Sequence, residues 1–251
     1  MIDFHTHVLP HIDDGARDTE MAKAMLEYEY KQGVTDLLLT PHYYGRKHSP
    51  TQFLEKRNAI WEHLKPHLPE GLNVRLAAEV HFTGINVPDY DELCKLAIEG
   101  TEYILIEFPF TQKWVNGVLS ELSSFIYETG YTPIIAHVER YNEIKRKPSI
   151  INELLDMGCL LQVNGSAFIT KPDKSLAYAL LKRGVIHCIG TDTHDMGIRK
   201  PNMQEVKAAV EAEGYGDSWA TIQNTMQSIL RGEEVKATPS KPIKKFFAKY
   251  F

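Results

Sequence analysis

Six times in this chain a glycine is followed at once by a short apolar run, and that repeated stop-and-start limits the folds open to it. Gly33 precedes TDLLLTP, Gly71 precedes NVRLAAEV, and Gly100 precedes TEYILIEFP. Gly130 precedes YTPIIAHVER, Gly158 precedes CLLQVNG, and Gly184 precedes VIHCIGTDTH. Glycine ends helices because it accepts a left-handed backbone without a Cβ penalty. A short, nearly continuous apolar run after such a stop reads as a strand buried on both faces. With the opening IDFHTH, seven strands are expected. The intervening segments have helical periodicity, as at Met21, Ala24, Met25 and Tyr28, at Ile150, Ile151, Leu154 and Leu155, and at Met203, Val206 and Val210. Alternating strands and helices imply parallel pairing through right-handed crossovers. Seven such units predict an α/β chain curled into a closed or nearly closed barrel, with a doubly wound open sheet as the alternative. No low-complexity linker divides residues 1–251, so one barrel domain with a tail, 238–251, is expected.

Composition narrows the partners. Lys and Arg number 28 against 33 Asp and Glu, a formal charge of −5, which disfavours a nucleic-acid partner. The three cysteines, Cys94, Cys159 and Cys188, are widely spaced, imply neither a disulfide framework nor a thiolate zinc site, and fit a reducing cytoplasm. No apolar run approaches the roughly 20 residues that span a bilayer, and MIDFHTH has none of the marks of a leader. In the tail, Lys241, Lys244, Lys245 and Lys249 alternate with Phe246, Phe247, Tyr250 and Phe251. That pattern reads as a segment docked on the barrel by its aromatics, or as a peripheral contact with an anionic membrane surface. Residues Tyr43–Ser49 and Thr83–Asp91 read as surface loops.

The ends of the expected strands carry the chemistry. The first ends in His5 and His7, the second leads to His42, the third to Glu79 and the fourth to Glu107. The fifth ends in His137, the sixth in Asn164, and the seventh in Asp192 and His194. In a parallel barrel these ends meet on one face, where active sites form. A lone histidine at a strand end is an ordinary rim residue; a metal-competent side chain on six of seven strands is a pattern. Residues two apart on a strand point to the same side, so His5 with His7, and Asp192 with His194, have chelating geometry. Asp13 and Asp14 follow the first strand in PHIDDG, a loop that can return a carboxylate to the face.

His5, His7, Asp14, His42, Glu79, Glu107, His137, Asp192 and His194 make nine candidate ligands, too many for one ion and suited to two or three. Burying four carboxylates together without cations is costly. Imidazole mixed with carboxylate suits manganese, iron or zinc. Multimetal sites of this kind activate water and clamp the oxygens of a phosphoryl displacement. Arg140, three residues after His137, and Arg199, five after His194, are placed to bind phosphate oxygens. Asn164 and His11 are candidate substrate contacts. Rival chemistries lack their motifs: six residues after each cysteine stand Gly100, Gly165 and His194 rather than the arginine of a cysteine phosphatase. The chain also contains no Gly-Lys pair, G-x-G-x-x-G, G-x-S-x-G or H-E-x-x-H.

The segments DFHTH, LPHIDDGA, TPHYY, AEVHF, LIEFP, PIIAHVERY, QVNGSA and GTDTHD together are similar to the PHP (polymerase and histidinol phosphatase) family. More narrowly the chain resembles the bacterial tyrosine-protein phosphatases of capsular and exopolysaccharide gene clusters, from Met1 to about Val235. The resemblance implies a distorted (β/α)7, TIM-like barrel of the PHP fold. It implies three divalent metal ions, most often Mn2+, on the nine residues named above, with Arg140 and Arg199 in phosphate-binding or catalytic roles. The implied substrate is the phosphotyrosine tail of a bacterial tyrosine kinase that regulates polysaccharide export. Water activated by the metals would attack phosphorus directly, with no covalent phosphoenzyme. Relatives often read proline where this chain has Val138, glycine where it has His11, and SDAH where it has Thr191 to His194. These departures leave every ligand in place and bear on loop shape and substrate preference. The alternatives are a small-molecule phosphatase such as one acting on histidinol phosphate, a nuclease or polymerase-associated module, and a non-catalytic scaffold of the export machinery.

Overall fold

The computed structural model describes residues 1–83, 89–110, 114, 117–237, 241, 245–246 and 249–250. Strand β1 (Ile2–Thr6) leads through α1 (Thr19–Lys31) to β2 (Asp36–Leu39) and β3 (His42–Tyr43). Helix α2 (Pro50–Leu64) is followed by β4 (Asn73–Leu76), β5 (Glu79–His81), α3 (Tyr90–Cys94), β6 (Tyr103–Glu107) and α4 (Val118–Thr129). Then come β7 (Thr132–Ile135), α5 (Asn142–Arg146), α6 (Ile150–Asp156), β8 (Leu160–Asn164), α7 (Lys174–Lys182) and β9 (Cys188–Gly190). Helices α8 (Met203–Ala212) and α9 (Gly216–Leu230) precede the short pair β10 (Lys245–Phe246) and β11 (Lys249–Tyr250). All six glycines named above are left-handed, with φ from +65° to +91°.

Strands β1, β2 and β4 form one parallel sheet, and β3, β5, β6, β7, β8 and β9 form another in that order. Spatial order therefore follows chain order, which is the barrel arrangement and not the doubly wound one. The second and third expected strands are each broken in two. Pro41 has no N–H, so the β2 ladder cannot run through it. Pairing with the neighbouring strand nevertheless continues past the break, because Ala77 N donates to Leu39 O and Glu79 N to Pro41 O. The ring returns on itself where Asp192 N donates to His5 O (2.8 Å) and His7 N to Thr193 O (2.9 Å). Strands β1, β6 and β8 are buried along their whole length, whereas β4 buries only Leu76.

Two local expectations are corrected. Helix α1 buries Ala22, Met25, Leu26 and Glu29, whereas Ala24 is exposed. The inward face is thus rotated from the Met21–Ala24–Met25–Tyr28 stripe, because the Glu29 carboxyl lies in the interior beside Asp3. Of the two expected loops, residues 44–49 form a surface loop but Tyr43 is buried in β3, while the other ends inside α3 at Asp91 and its residues 84–88 lie outside the described residues. The buried stripes of α6 and α8 are as expected.

The tail residues 238–240, 242–244, 247–248 and 251 lie outside the described residues, as do the side chains of Lys245, Phe246 and Lys249, so most of the basic–aromatic alternation is not described. Strands β10 and β11 pair antiparallel. Arg183 donates to Lys241 O, Tyr250 N donates to Ser175 Oγ, and the Tyr250 hydroxyl donates to Lys145 O, contacts that hold the described parts of the tail against α7 and α5.

The closing seam has no spare room. A Cβ on Gly190 would lie 2.4 Å from His5 Cβ and 2.7 Å from its backbone N. Replacing Gly190 with alanine is expected to destabilise the fold by about 1–3 kcal/mol, the cost of overpacking a rigid contact. Urea denaturation checks this; an unchanged midpoint would mean that the seam relaxes freely.

Candidate metal centre

The barrel topology brings the strand ends together on one face. Their metal-competent atoms form three groups, within each of which these atoms lie no more than 4.8 Å apart. The first is His7, Asp14, His42 and His194; the second is His5, His7 and Asp192; the third is His42, Glu79 and Glu107. His7 and His42 belong to two groups each, so the three form one continuous cluster. His137 adjoins the third group, its Nε2 lying 2.7 Å from Glu79 Oε1 and 3.4 Å from Glu107 Oε1. All nine sequence-derived candidates thus meet in one place. The alternation argument for His5 and His7 holds, with their Nε2 atoms 3.1 Å apart. Asp192 and His194 also converge, 3.5 Å between Oδ1 and Nδ1, although Asp192 is not in a strand.

Two of these residues stand in the left-handed region, His137 at φ +32° and Asp192 at φ +55°. Such a backbone costs a non-glycine residue about 1–3 kcal/mol and persists only where neighbours hold it. Gln162 Oε1 accepts from His137 N at 2.6 Å, and Asp192 N is held by His5 O. One residue earlier, Thr191 is fixed by Asp3, which accepts from Thr191 N (2.9 Å), Thr191 Oγ1 (2.6 Å) and His5 N (3.2 Å). Burial pushes both Asp3 and its neighbour Glu29 above the usual carboxylate range. Asp13 supports from the other side: its Oδ2 lies 2.7 Å from His7 Nδ1 and accepts from His42 N at 2.9 Å.

The donor set fits divalent cations. His42 Nδ1 and Glu79 Oε2 are 2.9 Å apart, yet neither makes a hydrogen bond of acceptable geometry, and His194 Nε2 is likewise without one. Such proximity without bonding leaves lone pairs free for an ion. In the metal-free protein, protons partly take the place of ions. Burial disfavours the charged form of His137, but hydrogen bonds to Glu107 and Glu79 outweigh it and lift it to about 9. Burial likewise opposes charge on His7 and His42, yet Asp13 and Glu79 respectively raise them. Burial would raise Asp13 and Glu107 as well, but His7 draws the first and His137 the second down to about 2.

Both arginines reach the cluster. Arg140 Nη1 lies 3.0 Å from Asp192 Oδ2, and Arg199 Nη2 lies 2.7 Å from Asp192 Oδ1. Each keeps more than a third of its side chain exposed, so their forks face an open space. That space is a hollow of about 370 Å3 over Asp14, His42, Glu79, Glu107 and His137. A second hollow of about 200 Å3 shares Arg140, Asp192 and Arg199 with it. Asn164 lines this second hollow and donates from Nδ2 to Asp192 Oδ2 at 2.8 Å, so it orients a carboxylate. His11 is exposed and lines neither hollow; its φ of +61° lies in the left-handed region that favours glycine. Sequence reasoning missed the supports Asp3 and Gln162, which sit in apolar strand runs. It also missed Tyr44 and Phe110 on the wall of the larger hollow, each close in sequence to a ligand.

The family model described as capsular polysaccharide synthesis, CpsB/CapC, matches residues 1–230. The chain belongs to this family. Among CpsB/CapC relatives, the tyrosine-protein phosphatase YwqE of Bacillus subtilis is 29% identical, over 98% of this chain and 97% of that one. The tyrosine-protein phosphatase CpsB of Streptococcus pneumoniae is 29% identical, over 86% of this chain and 91% of its own length. A crystal structure from a study of YwqE and CpsB, described as unique metal-dependent tyrosine phosphatases, superposes with a TM-score of 0.82 at 26% identity, covering 98% of this chain and all of that one. A lactonase from Listeria monocytogenes shares the fold alone, at TM-score 0.54 and 12% identity.

Metal loading should displace protons, because neighbouring carboxylates favour the protonated forms of His7, His42 and His137. The sign follows from their raised values: affinity is expected to climb as pH rises toward about 9, where the His137 proton leaves unaided. Titration calorimetry with Mn2+ near pH 7, in buffers of contrasting ionisation enthalpy, should show net proton release. Heats independent of the buffer would mean that the imidazoles are already neutral.

Proposed function

We propose that this chain is a metal-dependent protein-tyrosine phosphatase that acts on the phosphotyrosine segment of a bacterial tyrosine kinase governing capsular or exopolysaccharide synthesis. One observation carries the reading: a buried imidazole–carboxylate cluster lies beneath two arginines that are both anchored on one of its own carboxylates. Family membership and the tyrosine phosphatases among the relatives support the substrate class.

The residues that would hold three divalent ions are His5, His7, Asp14, His42, Glu79, Glu107, His137, Asp192 and His194. Imidazole and carboxylate without thiolate favours Mn2+ here, with iron or zinc as the competitors. When bound, such ions neutralise the ester's charge and acidify water for in-line attack on phosphorus. The chain's own part is positional. Arg140 and Arg199 bind the non-bridging oxygens from the open side and stabilise the charge that spreads over them in the transition state. Asn164, held by Gln162 Nε2 at 3.0 Å, fixes Asp192 between the two guanidinium groups. Asp13 sets the ring of His7, and Gln162 sets the backbone of His137. No cysteine takes part. Cys159 and Cys188 are buried in apolar surroundings that push their thiols up, and Cys94 lines a cavity elsewhere in the molecule. Among the described residues no helix is long and apolar enough to cross a membrane, which accords with action at the cytoplasmic segment of a kinase.

With added Mn2+, hydrolysis of a tyrosine-phosphorylated peptide is expected to exceed that of histidinol phosphate by at least an order of magnitude, and iodoacetamide is expected to leave the rate intact. A preference for histidinol phosphate would keep the metal centre and overturn the substrate. Arg199→Ala is expected to lower kcat/KM about 100- to 1,000-fold, the usual effect of removing one donor from a developing oxyanion, while the purified variant keeps its full metal content. A variant that arrives depleted of metal would show that Arg199 serves Asp192 instead of the phosphate.

A further inference from the structure

Nine of the twelve residues lining the larger hollow are charged or imidazole, and the phosphatase reading assigns or places nearly all of them around metal and phosphate. The three others are Tyr44, Pro109 and Phe110. A phosphate group has no use for such surfaces, so they are the part of the hollow left for the alcohol side of the ester. Tyr44 follows β3 and Phe110 follows β6, and β5 lies between those two strands in the sheet. The two residues therefore follow the outer two of three adjacent strands, the middle one of which carries Glu79 and His81.

Each ring is braced from behind. Phe110 is stacked on Tyr141 (centroids 5.2 Å apart, 23° between planes) and lies 5.2 Å from the His137 ring. Tyr141 is itself fully buried and accepts a hydrogen bond from Phe108 N. The Tyr44 ring lies 5.4 Å from His42 and 5.3 Å from His81, and His81 Nδ1 is 3.2 Å from Glu107 Oε2. Neither Tyr44 nor Phe110 is fully buried, so both keep ring surface open to the hollow. Cations border them: the Arg140 guanidinium lies 4.5 Å from the Phe110 centroid, and the Lys47 ammonium 4.8 Å from that of Tyr44.

We propose that Tyr44 and Phe110 form an aryl slot above the metal-competent cluster, which holds the ring of an aryl phosphate and sets a preference for aryl over alkyl phosphate monoesters. The slot rests on the phosphatase reading above and adds its specificity. A phosphotyrosine carries its phosphate a full ring beyond Cβ, so its ring must pass the rim residues before phosphorus reaches the cluster. A phosphoserine brings its peptide backbone to that level instead and leaves both rings without a partner. Aromatic pairs in such arrangements add about 0.5–1.5 kcal/mol beyond burial, which corresponds to about two- to twelvefold in kcat/KM.

The test uses Mn2+-loaded full-length protein and its variants Tyr44→Leu and Phe110→Leu, which keep apolar volume and remove the ring face. Rates are compared on one peptide carrying either phosphotyrosine or phosphoserine, and on phenyl phosphate against glycerol 2-phosphate. The expected result is an aryl-to-alkyl ratio of kcat/KM that falls about two- to tenfold in each variant, and further in the double variant. Phe110 also supports Arg140, so a loss shared equally by aryl and alkyl esters in Phe110→Leu would assign it to positioning that arginine. Tyr44 does not touch Arg140 in any described contact, and an unchanged ratio in Tyr44→Leu would overturn the slot. A wild-type protein that hydrolyses phosphotyrosine without preference for the aryl ester overturns the slot alone. One that hydrolyses only alkyl esters overturns the tyrosine phosphatase reading together with it.

Discussion

Everything in this molecule leans on the seam where Asp192 meets His5. The Asp192 amide donates to the His5 carbonyl and helps to close the barrel, while its carboxylate lies 3.7 Å from His5 Nε2 and 3.5 Å from His7 Nε2. The same carboxylate receives Arg140 on one oxygen, Arg199 on the other, and the amide of Asn164. A fold contact, a metal-competent group and the anchor of both arginines therefore share one residue. The left-handed backbone at Asp192 is what turns the carboxylate across the strand ends toward all of these partners. Its strain is borne by Asp3, which ties Thr191 and His5 to one buried carboxyl.

The electrostatics of the face make the same demand. Glu79 and Asp192 are almost fully buried and Glu107 nearly so, and an isolated carboxylate in such surroundings would be neutral. They are instead held below the usual range, because imidazoles and guanidinium groups surround them. That balance requires protons on histidines, and a metal ion replaces those protons with a more compact charge. The cluster is thus a site in which cations of one kind or another are a condition of folding the strand ends together. Calling it a structural salt-bridge network would leave unexplained why Glu79 Oε2 and His42 Nδ1 approach so closely without bonding.

Much of this was legible from the residues because barrel topology turns sequence position into spatial position. Six glycines marked the strand starts, and the first polar residues beyond each apolar run marked the site. The parts that were not legible have physical causes. The break at Pro41 leaves pairing with the neighbouring strand intact on both sides, so the run TDLLLTPHYY reads as one strand. The rotated face of α1 depends on Glu29 entering the interior to meet Asp3, and helical periodicity counts a glutamate as outward-facing. His137 and Asp192 were expected in extended backbone, since only tertiary hydrogen bonds hold them left-handed. Tyr44 and Phe110 were passed over because an aromatic beside a strand end is ordinarily core. Their incomplete burial beside a polar cluster becomes visible only in three dimensions.

The sharing of Asp192 also governs how this site can be dissected. A substitution there removes an apparent ligand, both arginine anchors and the carboxylate of a strained turn at once, so its effect cannot be assigned to any one of them. The arginines are separable, because each is tethered to Asp192 but points into open space and is supported differently, Arg140 by the ring of Phe110 and Arg199 by its own loop, whose carbonyl accepts from His194 N and Thr193 Oγ1. An arginine held by a carboxylate is also an arginine held ready: an incoming phosphate offers the guanidinium fork the same pair of oxygens that Asp192 offers. A cation that drew on the oxygens of Asp192 would weaken its hold on the two forks and free them for an incoming phosphate. Metal occupancy and phosphate affinity would then be coupled through a single carboxylate, with no movement of the barrel required.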